Sequence, residues 1–202
     1  QPPGRENRSG ERPHTVIEEL ALEFADALET LAPLPSAFLG HSMGGLVAYL
    51  TARLLAERNG RVPEHLVVSS CLSPAERGAC QQNTRSLRER ILAFGGIPAA
   101  IQASPELFDM FQSVIAEDIA MSDAYLHVPA APLACAITVY SGNDDAAARP
   151  ARAPQWQRMT QYDLKMRSFV GGHFFLYADP DATARALIED LGLYRLPSGA
   201  VP

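Results

Sequence analysis

Apolar and polar positions along the chain predict strands that alternate with helices. In residues 15–31, apolar side chains recur at helical spacing, which predicts a helix with one buried face. The residues of this face are Ile17, Leu20, Ala21, Phe24, Leu28 and Leu31. Thr15 and Glu18 have the spacing of a capping box, so we expect the helix to begin at Thr15. Pro33 and Pro35 then end it.

Four short apolar runs are typical of buried parallel strands. They are SAFLG at 36–40, HLVVSS at 65–70, CAITVYSG at 135–142 and DLKMRSFVGG at 163–172. A second helix is predicted over GLVAYLTARLLAERNG, closed by Asn59 and Gly60, and a last amphipathic helix over 181–194. This alternation predicts an α/β fold, in which helices cover both faces of a mostly parallel sheet.

Residues 72–133 interrupt the alternation with polar, helix-prone sequence. A helical insertion after a strand would lie over the crevice where open α/β sheets bind ligands, so the segment is predicted to be a lid that covers the substrate. Its large apolar residues would then line the substrate chamber: Phe94, Ile97, Ile101, Leu107, Phe108, Met110, Phe111, Val114 and Ile115. The alternative is a packed helical excursion that covers no site.

Composition and charge narrow the class of protein. The 202 residues suit a single domain, 1–202, and the net charge of −6 without a basic cluster argues against nucleic acid as a partner. We find no apolar run long enough to span a membrane, and the polar first 13 residues predict a loop or a frayed end. The odd number of cysteines (Cys71, Cys80 and Cys135), with no CxxC spacing, favours a reducing compartment. We expect a cytoplasmic monomer without a membrane, metal or cofactor.

The sequence GHSMG, residues 40–44, is a candidate catalytic motif and lies between a predicted strand and a predicted helix. This is the G-x-S-x-G nucleophile elbow, in which a sharp turn presents a serine above the sheet. Gly40, Gly44 and Gly45 would allow the close backbone approach that the turn needs. Ser42 is then the predicted nucleophile, and the backbone N–H of Met43 the predicted oxyanion donor. A glycine-rich turn without chemistry is the alternative.

An acid and a histidine follow in the chain order that this elbow requires. Asp144 and Asp145 come just after the third predicted strand, and His173 follows the fourth in a glycine-flanked loop. A serine hydroxyl needs such a base to become nucleophilic. His173 is the predicted base, and either aspartate could orient it.

Several motifs resemble the type II thioesterases of polyketide and nonribosomal peptide synthesis. They are PPGRE near the start, GHSMGGLVAYLTARLL, AFGGIP, SGNDD, Trp156 after it, and GGHFFLY. The resemblance implies an α/β-hydrolase fold with a helical lid. It also implies a serine thioesterase that releases acyl groups from the phosphopantetheine arm of an acyl or peptidyl carrier protein.

The resemblance also implies which aspartate is the acid and where the second oxyanion donor lies, which the sequence pattern alone does not decide. Its G-x-x-D motif aligns Gly142 with Asp145, which makes Asp145 the expected acid and Asp144 the alternative. Related chains have strands and a glycine-containing loop before PPGRE, so we expect the second oxyanion donor upstream of Gln1. Without those strands, an edge of the sheet and the apolar face beside it would be exposed. A small-molecule carboxylesterase and an inert binding protein of the same fold are the alternative functions.

Overall fold

A computed structural model describes residues 1–31, 34–77 and 86–193, apart from the side chains of Phe111 and Val114. Its strands form one parallel sheet in the order β1-β2-β3-β4. They are β1 (Ala37–His41), β2 (His65–Ser69), β3 (Ala136–Gly142) and β4 (Lys165–Phe169). β2, β3 and β4 lie within runs predicted to be strands, and β1 extends one residue beyond its predicted run, to His41, which confirms the α/β fold with a parallel sheet.

Helices connect and cover these strands. The α-helices of the described residues are α1 (Ile17–Glu29), α2 (Met43–Asn59), α3 (Pro74–Arg77), α4 (Leu87–Phe94), α5 (Ala99–Ala103), α6 (Pro105–Ala124), α7 (Phe175–Ala178) and α8 (Pro180–Asp190). Short 3-10 helices cover Glu6–Arg8 and Pro150–Met159. Of the helices described, none combines the length and the apolar character needed to cross a bilayer.

The first helix departs from the sequence prediction in two ways. It begins at Ile17 after an extended Val16 that makes no side-chain cap, so the capping box of Thr15 and Glu18 is wrong. Its buried face also includes Ala25, whereas the predicted Phe24 and Leu31 are 39% and 60% exposed. Small alanine side chains let α1 approach α2 closely, which shifts the buried stripe away from the large residues.

Helices α3 to α6 stand between β2 and β3, where the helical insertion was predicted. Helices α4 to α6 and the turn between α4 and α5 share an apolar cluster of their own, formed by Ile91, Ile97, Phe108 and Ile119. Of the predicted chamber residues, Leu107 and Met110 are exposed at 50% and 71%. The side chains of Phe111 and Val114, and Cys80 with its neighbours, lie outside the described residues.

The polar N-terminal segment is a loop with one short 3-10 helix that bonds to the body, so of the two predicted alternatives the loop is confirmed and the frayed end is not. Arg5 donates a hydrogen bond to Asp118 of α6 at 2.5 Å, and Arg8 donates one to Glu23 of α1 at 2.6 Å. In the described part of the chain β1 pairs only with β2, and Leu39 on it is 54% exposed. This strand therefore forms an open edge with apolar side chains, as expected.

Candidate active site

The GHSMG turn joins β1 to α2 and holds Ser42 in a strained conformation, with φ 54° and ψ −120°. A Cβ on Gly40 would lie 2.2 Å from the Gly44 carbonyl oxygen, and one on Gly45 would lie 2.9 Å from Cys71. Both positions therefore need glycine. Nothing lies within 4 Å of a Cβ on Gly44, so the prediction that Gly44 serves close approach is wrong.

Ser42, His173 and Asp145 form a continuous hydrogen-bonded chain. The Ser42 Oγ lies 2.9 Å from His173 Nε2, and His173 Nδ1 lies 3.0 Å from Asp145 Oδ2. An ionised carboxylate only accepts hydrogen bonds, so Nδ1 carries the ring proton and Nε2 accepts from the serine hydroxyl. In this arrangement His173 can take the serine proton as Ser42 attacks.

Asp145 is anchored where a triad acid would need to be. Its Oδ1 accepts hydrogen bonds from the N–H groups of Ala147 and Ala148, both at 2.9 Å. Burial alone would raise the pKa of Asp145, but the hydrogen bonds from His173 and Ala148 outweigh it and lower the pKa to about 2. The carboxylate is therefore ionised at neutral pH. Asp144 is exposed, and its N–H donates to the Gly171 carbonyl.

Backbone hydrogen bonds tie the loops at the carboxyl ends of the strands to one another. The N–H of Ser42 donates to Ser69, that of Ser70 to Tyr140, and that of Asn143 to Phe169. The loops after β3 and β4 also touch directly. A Cβ on Gly142 would lie 2.2 Å from the Gly172 carbonyl oxygen, so this position requires glycine. The spacing between the acid loop and the histidine loop is thus fixed by main-chain atoms.

Two rings beside His173 were not foreseen from the sequence. His41 lies 5.1 Å from it and Phe94 of α4 lies 4.7 Å from it, between ring centroids. Burial, with a smaller contribution from His173, lowers the pKa of His41 to about 4, so this ring is neutral at pH 7. Because His41 directly precedes Ser42 in the chain, its position near the candidate site could have been inferred from the sequence. The Phe94 contact was not, since it depends on how the insertion folds back.

The remaining histidines lie away from the triad and have local partners. His14 bonds Glu23, His65 bonds the Thr138 hydroxyl, and His127 contacts Tyr125. Trp156 is fully buried, and its Nε1 donates to the Cys71 carbonyl at 2.8 Å. These residues therefore support the fold around the site.

Ser42 and His173 open into a cavity of about 1140 Å³ between the sheet and the insertion. Met43 is the first residue of α2, where helix N–H groups lack a carbonyl partner four residues back, and it lines the same cavity. Of the predicted chamber residues, those that line the cavity are Phe94, Ile97 and Ile115. An apolar space next to a nucleophile suits an acyl chain.

Comparison with known proteins agrees with this geometry. The family model for the thioesterase domain matches residues 1–191. Thioesterase PikA5 of Streptomyces venezuelae is 33% identical over 180 residues, which span 87% of this chain and 64% of that protein. The chain thus covers less than two thirds of this relative's length.

Two solved structures are similar in fold and sequence. RedJ, a thioesterase from the prodiginine biosynthetic pathway in Streptomyces coelicolor, has a TM-score of 0.82 and 35% identity, covering 96% of this chain and 77% of that one. The type II thioesterase BorB from the borrelidin biosynthetic cluster has a TM-score of 0.74 and 29% identity, with 94% and 76% covered. With its family model matched over nearly its whole length, this chain belongs to the thioesterase family.

Proposed function

We propose that this chain is a serine thioesterase. It hydrolyses acyl thioesters on the phosphopantetheine arm of an acyl or peptidyl carrier protein, and so removes aberrant acyl units during polyketide or nonribosomal peptide synthesis. The observation that carries the proposal is the hydrogen-bonded series Ser42, His173 and Asp145 at the floor of an apolar cavity, in a chain of the thioesterase family. RedJ belongs to the prodiginine biosynthetic pathway and BorB is a type II thioesterase of the borrelidin biosynthetic cluster, and both support a role in a biosynthetic pathway of this class.

The first half of the reaction forms an acyl-enzyme. The Ser42 Oγ attacks the thioester carbonyl carbon while His173 Nε2 accepts the hydroxyl proton. The carbonyl oxygen becomes an oxyanion, which the Met43 N–H at the start of α2 stabilises. When the tetrahedral intermediate collapses, the C–S bond breaks and the imidazolium gives its proton to the departing thiolate.

The second half returns the enzyme to its starting state. Water attacks the Ser42 ester while His173 accepts its proton; when the intermediate collapses, the bond between the acyl carbon and Ser42 Oγ breaks, the imidazolium returns the proton to Oγ, and the carboxylic acid leaves. Asp145 stays ionised throughout and stabilises the imidazolium in each half. His41, neutral at pH 7, adds no repelling charge beside that imidazolium.

The remaining parts of the proposal concern partner and compartment. We propose that the chain acts as a monomer on a carrier protein, since one chain supplies all three groups of the series and the site needs no second copy. Cys71 and Cys135 are both free and buried, which supports the cytoplasm as the compartment.

The decisive experiment compares the chain with Ser42→Ala on an acyl carrier protein thioester and on the matching simple ester. We expect the alanine variant to fold normally and to lose at least about 1000-fold in kcat/KM, because the nucleophile is gone. The carrier thioester should be cleaved faster than the ester.

Covalent labelling by a fluorophosphonate separates the alternatives. The proposal requires that the reagent label Ser42 and that the Ser42→Ala variant stay unlabelled. Absence of labelling in the folded wild-type chain would favour an inert binding protein. Preference for the simple ester would favour a carboxylesterase.

A further inference from the structure

The cavity wall contains more cations than anions. Its charged side chains are Arg77, Arg90, Arg149, Arg152, Asp118 and Asp123. Arg90 is paired with Asp123 by two hydrogen bonds, at 2.6 and 3.0 Å. Arg152 Nε donates to Glu76 at 2.7 Å. Two of the four arginines therefore already have a carboxylate.

Both aspartates of the wall are also engaged, since Asp118 accepts from Arg5. Within the described residues, no carboxylate lies within 4 Å of Arg77 or Arg149. Arg149 is exposed at the mouth of the cavity, where water screens its charge. Arg77 is half-buried, so solvent screens its charge less than it screens the charge of Arg149.

Neutral groups hold the Arg77 side chain in place. Its Nη1 donates to the Ser122 hydroxyl of α6, and its Nη2 donates to the Cys71 sulfur at 3.3 Å. Its Nε is buried and has no hydrogen-bond partner among the residues that the structure describes. These contacts fix the guanidinium between α3 and α6 without neutralising it, and a buried donor left unpaired is costly.

Apart from the charged and polar groups already named, much of the wall that Arg77 shares is apolar. The same cavity is lined by Ile91, Phe94, Ile97, Ile115 and Ile119. A cation in such a wall lacks the water that would stabilise it, so an anion brought by a ligand would be bound strongly there. A guanidinium fork matches a carboxylate better than any neutral group.

We infer that Arg77 binds a carboxylate at the far end of the acyl group, so that the preferred substrates are thioesters of dicarboxylic acids. The inference rests on the proposed function, because the acyl group must enter this cavity from Ser42. It deepens that function by naming a substrate class and the residue that selects it.

The test uses pantetheine thioesters whose acyl groups share one skeleton. Malonyl carries a carboxylate, acetoacetyl a neutral ketone and 3-methylbutanoyl only methyl groups. Longer dicarboxylic acyl groups, up to six carbons, place the terminal carboxylate at increasing distances from the thioester, so that one of them can reach Arg77. Each is compared with a methyl-branched acyl group of the same length. We expect at least one dicarboxylic thioester to exceed its branched partner in kcat/KM by roughly tenfold or more, the effect of a charged hydrogen bond.

Variants assign that preference to Arg77. Arg77→Met should lower the ratio of carboxylate to branched substrate by roughly 10- to 100-fold, and Arg77→Lys should keep part of it. The control is Arg88→Met, because Arg88 lies over the Phe108 ring, 4.0 Å from its centroid, and does not line the cavity. It should leave the ratio unchanged.

Several results would overturn the inference. No preference for a carboxylate at any length would do so, as would equal losses on both substrate types in Arg77→Met, which would make Arg77 only a brace between α3 and α6. A ketone as good as the carboxylate would make it a donor to neutral oxygen. If turnover depends on Ser42 but is the same with and without a carboxylate on the acyl group, only this inference is contradicted. If no turnover depends on Ser42, the proposed function itself is contradicted.

Discussion

The loops at the carboxyl edge of the sheet and the helices α3 to α6 face each other across the cavity, but they are held by different forces. The loops are joined by main-chain hydrogen bonds and by glycine contacts that leave no room for a side chain. Helices α4 to α6 have a small apolar cluster of their own, and they meet the rest of the chain through side chains such as Met121 in the main core, Phe94 beside His173 and Asp118, which accepts from Arg5.

This difference suggests a division of labour. Catalysis requires the triad atoms to keep their spacing within a fraction of an ångström, which main-chain contacts provide. Substrate choice requires a wall that can change its side chains without moving the triad. Substitutions on the sheet side should therefore reduce catalysis or stability, and substitutions in the helices should mainly change which acyl group is preferred.

The largest expected effect is that of Asp145→Asn. The amide favours the wrong imidazole tautomer, so kcat should fall by about 10⁴-fold with little change in folding. Asp144→Asn is the matched control, because Asp144 is exposed and bonds only through its backbone. Steady-state kinetics on an acyl thioester would measure both. A severe loss in Asp144→Asn with normal activity in Asp145→Asn would reverse the assignment of the acid.

The next effect concerns the contact between the acid loop and the histidine loop. In Gly142→Ala the new Cβ would sit 2.2 Å from the Gly172 oxygen, so the loops must separate. We expect about 1 to 3 kcal/mol of lost stability and roughly a 100-fold lower kcat.

Gly44→Ala is the control for that change, measured by urea unfolding of both variants. A Cβ on Gly44 meets nothing within 4 Å, and the residue lies in α2. Alanine there should raise the free energy of unfolding by about 0.5 to 1 kcal/mol. If both variants behaved alike, the close contact at Gly142 would not be what fixes the loops.

A smaller effect tests how the last helix is attached to the sheet. Asp190 at the end of α8 is fully buried and accepts hydrogen bonds from Arg167, Tyr140 and Lys165. Burial would raise the pKa of Asp190, but the bonds from Arg167, Lys165 and Tyr140 outweigh it and lower the pKa to about 2. The ionised form is therefore favoured in the folded chain, and it contributes stability above the unfolded pKa near 4.

Asp190→Asn should cost about 2 kcal/mol at pH 7, because folding lowers the pKa of this carboxyl from near 4 to about 2. Because the wild-type contribution disappears as the carboxylate is protonated, the difference between the two chains should shrink from pH 4 to pH 2. Urea unfolding at several pH values would measure it. Glu189→Gln is the control, since Glu189 also bonds Arg167 but is 60% exposed and should matter little. A constant difference down to pH 2 would contradict the linkage.

The parts of the fold and of the candidate site that depend on neighbouring residues in the sequence could be predicted, and the parts that depend on distant contacts could not. Short apolar runs located all four strands and the 3.6-residue period located the long helices, while the order of Ser42, Asp145 and His173 along the chain pointed to the residues that form the hydrogen-bonded series. The choice of Asp145 over Asp144 needed a family motif, because adjacent aspartates have the same local pattern. The contacts of Phe94 and Arg77 could not be predicted, because they depend on how the inserted helices fold back over the sheet.

The smallest expected effect concerns acyl chain length and tests the helical wall directly. Ile115 of α6 lines the cavity, whereas Met110 of the same helix is 71% exposed and does not. Ile115→Trp should shorten the preferred acyl chain, with about a fourfold loss in kcat/KM for each methylene that no longer fits, from about 0.8 kcal/mol each. Met110→Trp adds the same ring outside the cavity and should leave the profile flat. Rates on a series of straight-chain acyl thioesters, with melting temperatures for both variants, would decide. If Ile115→Trp lowered only the melting temperature, the helices would be packing for the domain and would not form an acyl wall.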